Sequence, residues 1–117
     1  MGNTLSAKVR IHLSAEDKCF GPGICTLLEE VEKTGSLRKA AMNMNMAYSK
    51  AWKIVKMCEE NLGVKLLIST AGGKNGGGAV LTDEARQFIA AYRQLCRRTD
   101  EFVSEVLNEE FGFYING

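Results

Sequence analysis

Two short apolar stripes at helical spacing stand almost end to end in the middle of this chain, and few folds accommodate that. Leu37, Ala40, Ala41 and Met44 fall at i, i+3, i+4 and i+7. Ala51, Ile54, Val55, Cys58 and Leu62 form the next stripe, after a connection of about three residues, the linkage of a helix-turn-helix. Helices joined so tightly must cross, and each needs a further element to cover its apolar face. Upstream, Pro22 after Gly21 suits a first helical turn, Ile24, Leu27, Leu28 and Val31 make a third stripe, and Gly35 supplies a left-handed stop. Ser36 is placed to cap the second helix and Gly63 to end the third. Three helices around one small core are therefore expected.

The flanking segments extend this frame. Leu66-Leu67-Ile68 and Ala79-Val80-Leu81-Thr82 read as strands, separated by Ala71-Gly72-Gly73-Lys74-Asn75-Gly76-Gly77-Gly78, which holds five of the chain's twelve glycines. A hairpin with so glycine-rich a tip can approach a ligand closely and carry Lys74 to it, which describes a wing. A phosphate-cradling P-loop would need a Lys-Ser/Thr pair opening a helix, and here glycines and a strand follow Lys74. Before the first helix, Lys8-Val9-Arg10-Ile11-His12-Leu13 alternates with the period of a half-buried strand.

After the hairpin, Thr82 can cap a helix whose first turn carries Asp83 and Glu84, well placed against its dipole. Ala85, Phe88, Tyr92, Leu95, Thr99, Phe102 and Val106 run along it by threes and fours, with Ile89, Cys96, Val103 and Leu107 beside them. Such a helix spans roughly 40 Å, more than the face of a small domain can cover. The expected fold class is mainly α with a small β-sheet: a winged helix-turn-helix over residues 1–82, its wing at 65–82, followed by a long C-terminal dimerisation helix and tail over 83–117.

Charge is unevenly divided along this frame. Residues 36–80 carry a net +5, whereas residues 1–35 carry −1 and residues 81–117 carry −3. With Ala51, Val55 and Cys58 turned inward, the helical step of about 100° places Tyr48, Ser49, Lys53 and Lys56 on the opposite side, with Lys50 at its flank. Trp52 falls near the boundary and is assigned to packing. A basic helix face is often no more than a solvated surface. Combined with a glycine-rich wing it points to nucleic acid, with Tyr48 and Ser49 in the first turn suited to base edges and the lysines to phosphates.

Other chemistry is poorly represented. Cys19, Cys25, Cys58 and Cys96 show no metal-like spacing and are expected as reduced, packed thiols. Met42, Met44 and Met46 diverge on a helix-turn segment, His12 lacks a second histidine, and Glu29, Glu30, Glu32, Glu109 and Glu110 read as solvated helix faces. No enzyme, cofactor or metal is expected. Without an apolar run long enough for a membrane span or a secretory signal, the chain is expected in the cytoplasm, with no membrane partner.

Gly35-Ser36-Leu37-Arg38-Lys39-Ala40-Ala41, Met46-Ala47-Tyr48-Ser49-Lys50-Ala51-Trp52 and Gly72-Gly73-Lys74-Asn75-Gly76-Gly77-Gly78-Ala79-Val80-Leu81-Thr82 resemble, in order, the N-terminal domain of the molybdate-responsive ModE regulators. The Phe20-Gly21-Pro22-Gly23 entry to the first helix fits as well, and Met46 to Leu66 is more broadly similar to LysR-type DNA-binding domains. The resemblance implies a bacterial transcription regulator binding double-stranded DNA as a homodimer. Its recognition helix, about residues 47–61, would read the major groove, and its wing would touch flanking backbone or minor groove. On this reading Ser36, Arg38, Tyr48, Ser49, Lys50, Lys53, Lys56, Lys74 and Asn75 face DNA, while Phe88, Tyr92, Leu95, Phe102 and Val106 face the partner.

Two departures qualify the resemblance. Ala47 stands where such regulators usually place serine, which removes a helix cap. The molybdate-sensing domains of the family lie beyond the matched region, so no molybdate site is expected within these residues. The alternative is a protein-interaction module on the same scaffold, docking through the C-terminal helix and the Phe111-Gly112-Phe113-Tyr114-Ile115 tail.

Overall fold

The computed structural model describes residues 4–70 and 78–116. A hairpin of β1 (Leu13–Ala15) and β2 (Asp17–Phe20) opens the fold. Three helices follow, α1 (Pro22–Thr34), α2 (Leu37–Asn43) and α3 (Tyr48–Leu62). A second antiparallel hairpin joins β3 (Leu67–Ser69) to β4 (Ala79–Leu81) before the long α4 (Asp83–Glu110) and a last turn, α5 (Gly112–Ile115).

The helix boundaries follow from local chemistry. Pro22 occupies the first turn of α1, where its missing N–H costs nothing, and Gly35 ends that helix at φ 71° with its N–H on the Val31 carbonyl. Ser36 caps α2, its hydroxyl accepting from the Lys39 amide. Gly63, also at φ 71°, closes α3, and the Thr82 hydroxyl caps α4 by accepting from the Ala85 amide at 3.0 Å. Ala47 opens α3 with no side-chain cap, and neither Asn45 nor Ser49 replaces it. Asn45 instead takes a left-handed φ of 54°, turning the chain between α2 and α3.

The N-terminal strand lies elsewhere than the alternation of Lys8 to Leu13 predicts. Residues 4–12 are irregular, and β1 starts at Leu13, where Glu16 at φ 64° lets the chain double back onto β2. A strand needs a neighbour for its backbone groups. Among the described residues, Ile11 gives its carbonyl not to a strand but to the Tyr92 hydroxyl, at 2.7 Å.

The core is built from Phe20, Leu27, Leu28, Val31, Val55, Leu66 and Tyr92, with Cys25 and Cys58 fully enclosed among them. All four cysteines are free thiols. Burial pushes Cys25 up to about 11 and Cys58 up to about 12, so both stay protonated and unreactive. Met44 and Met46 pack against this core while Met42 is exposed.

Only the first turns of α4 belong to the core. Ala85 and Tyr92 are buried, Phe88 rests its ring 5.8 Å from Phe20, and Arg86 and Arg93 pair with Glu32 and Glu29 of α1. The helix then runs on past the body, giving principal extents of 63 × 30 × 21 Å. No helix among the described residues is long and apolar enough to cross a membrane.

Candidate nucleic-acid interface

The outer face of α3 begins where Tyr48, 39% exposed, presents its ring beside α2. The Arg38 guanidinium lies 4.2 Å from the centre of that ring, so two predicted contact residues from different helices form one cation–π unit. Ser49, Lys50 and Lys53 continue the exposed face, and neither lysine is paired with a carboxylate among the described residues. Ser36 is engaged at the start of α2 as its cap, with a partly buried side chain. Lys74 and Asn75 lie outside the described residues.

Lys56, expected on the same DNA-facing side, has partners within the protein that Lys50 and Lys53 lack among the described residues. Its ammonium sits 3.2 Å from the Glu59 carboxylate and over the Trp52 ring at 5.7 Å, so its charge is already matched within the protein. Trp52 departs from its expected place: it is 47% exposed rather than packed into the core. The inward stripe of α3 leaves it on the flank beside the wing stem, where it lines a cavity rather than being enclosed in the core.

Glu59, which the sequence marks only as one of two acidic residues in the basic segment 36–80, organises this region. It is buried, and its Oε2 accepts from the amides of Leu66 at 2.7 Å and Leu67 at 3.2 Å. Burial works against its charge, yet those two amides and Lys56 together hold the carboxyl below its ordinary value of 4.5. The result ties the C-terminal end of α3 to the base of the wing. The i, i+3 spacing of Lys56 and Glu59 was a legible signal for the ion pair, though not for the wing amides.

The wing is fixed on its other sides as well. Thr82 donates from its hydroxyl to the Lys65 carbonyl at 2.7 Å, and the Ala79 amide donates to the Gly35 carbonyl at 2.9 Å. Gly78 is needed for that approach, since a Cβ there would stand 2.6 Å from the Gly35 oxygen. Between wing stem and helix lies a cavity of about 370 Å³ whose walls include Ser36, Arg38, Tyr48, Trp52, Ser69 and Gly78.

The predicted partner-facing stripe divides in two. Tyr92 is buried in its own domain and Phe88 packs there on Phe20, because the hairpin β1–β2 brings Phe20 against the start of α4. Leu95, Phe102 and Val106 remain exposed beyond it, Phe102 by 64%.

Comparison with known proteins agrees with this architecture. Residues 25–86, more than half of the chain, match the family of bacterial regulatory helix-turn-helix proteins, lysR family. The chain is 36% identical to the molybdenum transport protein ModE of Azotobacter vinelandii over 89 residues, which are 74% of this chain and 33% of that protein. It is 36% identical to the transcriptional regulator ModE of Haemophilus influenzae over 72% of this chain and 32% of that one. The DNA-binding transcriptional dual regulator ModE of Escherichia coli K12 aligns at 28% identity over 96% of this chain and 43% of its own length. The chain thus spans about a third to two fifths of these relatives.

Among solved structures, the CbnR_DBD–DNA complex superposes with a TM-score of 0.56 at 17% identity, covering 75% of this chain and 95% of that one. The BenM_DBD/benA site 1 DNA complex gives 0.54 at 23%, covering 77% and 96%. At these identities the likeness is one of fold. With the matched segment running from α1 through the wing to the first turn of α4, the chain belongs to the bacterial regulatory helix-turn-helix proteins of the lysR family.

Proposed function

We propose that this chain regulates transcription by binding double-stranded DNA as a homodimer in the bacterial cytoplasm, without catalysing a reaction. The observation that carries the reading is the outer face of α3. There Tyr48, Ser49, Lys50 and Lys53 stand exposed on a helix whose inner face is locked into the core, with Arg38 stacked on Tyr48 and the wing stem alongside. A rigid helix with a basic outer face matches what the major groove admits.

Tyr48 and Ser49, in the first turn, reach base edges, while Arg38, Lys50 and Lys53 hold phosphates. α3 also begins without a side-chain cap, which leaves leading N–H groups open toward an anion. Lys74 and Asn75 are proposed as wing contacts from the sequence alone. The exposed Leu95, Phe102 and Val106 of α4 provide the dimer contact, presenting two recognition helices to half-sites about 34 Å apart or a multiple of it.

Selection of bound fragments from random duplex DNA, read by sequencing, tests the reading. Enrichment of an inverted repeat, with affinity falling steeply as salt rises, is the expected result. Failure to enrich any sequence, or binding indifferent to salt, would reject it.

A further inference from the structure

Trp52 is not accounted for by the core, and the contacts described so far assign it no ligand. It stands on the second turn of α3, 47% exposed, and forms part of the wall of the cavity between that helix and the wing stem. The cavity combines two chemistries. Arg38 brings a guanidinium that is not paired with a carboxylate among the described residues, whereas the charge of Lys56 is matched by Glu59. An unpaired cation and a broad apolar ring in one concave site suit an anion joined to an apolar group.

The position of the cavity narrows that class. It opens between an element that lies in the major groove on the proposed function and a wing beside it, and what separates adjacent grooves of a duplex is the sugar–phosphate backbone. We infer that this cavity seats one sugar–phosphate unit of duplex DNA, with Arg38 on the phosphate and the Trp52 ring against the adjoining deoxyribose. Trp52 is thus a contact that adds affinity without reading sequence. This rests on the DNA-binding reading above and deepens it.

Trp52 is the single tryptophan of the chain, so its emission reports this site alone. Two readouts are taken on one sample of the full chain: anisotropy of a labelled duplex for binding, and acrylamide quenching of Trp52 for access to its ring. Shielding of Trp52 with the same midpoint as duplex binding is expected. Trp52→Ala should weaken binding about tenfold, about 1.4 kcal/mol, equally for a selected and a random duplex, because every nucleotide presents the same sugar to the ring. The slope against salt should not move, since the indole carries no charge. Trp52→Phe, which keeps an aromatic face, should bind within about threefold of the parent.

Duplex binding with Trp52 still fully open to acrylamide overturns the inference and leaves the DNA-binding reading intact. A loss confined to the selected duplex would mean a base contact and also overturns it. Shielding by deoxythymidine monophosphate alone overturns it as well, marking a free-nucleotide pocket. No duplex binding in any sample rejects the reading and the inference together.

Discussion

At the scale of single residues, Glu59 and Lys56 show how an ion pair decides which charges remain available. Glu59 is the one buried charged residue among those described, and it satisfies two wing amides at once. Replacing Glu59 by Gln keeps the shape but gives up the charge-assisted bonds, which should cost about 2 kcal/mol at neutral pH. Its folded pKa lies below the unfolded value, so the stabilisation is present above the ordinary 4.5 and fades as pH falls through the folded value. Urea titrations of both proteins across that range should show their stabilities converging in acid. A gap that stays constant well below that point would show the carboxylate charge to be unimportant.

The same pair sets Lys56 apart from Lys53. Lys53→Gln should reduce the salt slope of DNA binding by about 0.9 in log–log form, one phosphate contact, whereas Lys56→Gln should leave the slope unchanged and lower stability instead. Equal slope changes in the two variants would return Lys56 to the set of phosphate contacts. Helical geometry alone put both lysines on one face, and it did so correctly. What it lacked was the chain folding back at Leu66, which buries Glu59 and draws Lys56 to it.

At the scale of elements, boundaries written in local chemistry were legible, and pairings written in distant contacts were not. Pro22, Gly35, Ser36, Gly63 and Thr82 each mark a helix end for a reason contained within a few residues. The alternation of Lys8 to Leu13 carried no such local warrant. Its strand depended on a partner, and the Tyr92 hydroxyl, 81 positions away, took the Ile11 carbonyl instead. Gly78 looked like one more flexible residue of the wing, and its reason is the close pass to Gly35. The candidate site divides the same way: the exposed face of α3 was readable from periodicity, whereas the cavity beside Trp52 exists only once the wing stem is docked.

The uncapped start of α3 is the element-scale feature most open to experiment. Ala47 already holds the extended backbone of a cap, at φ −64° and ψ 141°, and lacks only an acceptor. Ala47→Ser should therefore stabilise the fold by about 1 kcal/mol, measured by chemical denaturation. A neutral or destabilising result would mean that the first N–H groups of α3 are already satisfied in solution.

At the scale of the whole molecule, α4 determines the shape. The radius of gyration is 18.3 Å, against about 13 Å for a compact domain of this length, because the second half of the helix stands away from the body. An isolated helix in water is marginal without a surface to pack on. Along this stretch Arg97 pairs with Glu101, but Leu95, Phe102 and Val106 stay open to solvent, which is the composition of a face awaiting a partner. In the proposed homodimer a second copy, related by a two-fold axis, would cover the same stripe on both chains and fix the spacing of the two α3 helices. Phe102 carries the test because it is 64% exposed in the single chain, so changing it removes little from the protomer's own core. Phe102→Glu should leave the helical circular-dichroism signal of the winged body intact, convert a dimer to a monomer by light scattering at micromolar concentration, and weaken operator binding about a hundredfold through loss of the second half-site. If the unaltered chain is itself monomeric there, the exposed stripe does not join two copies. If Phe102→Glu remains dimeric, the two copies meet elsewhere.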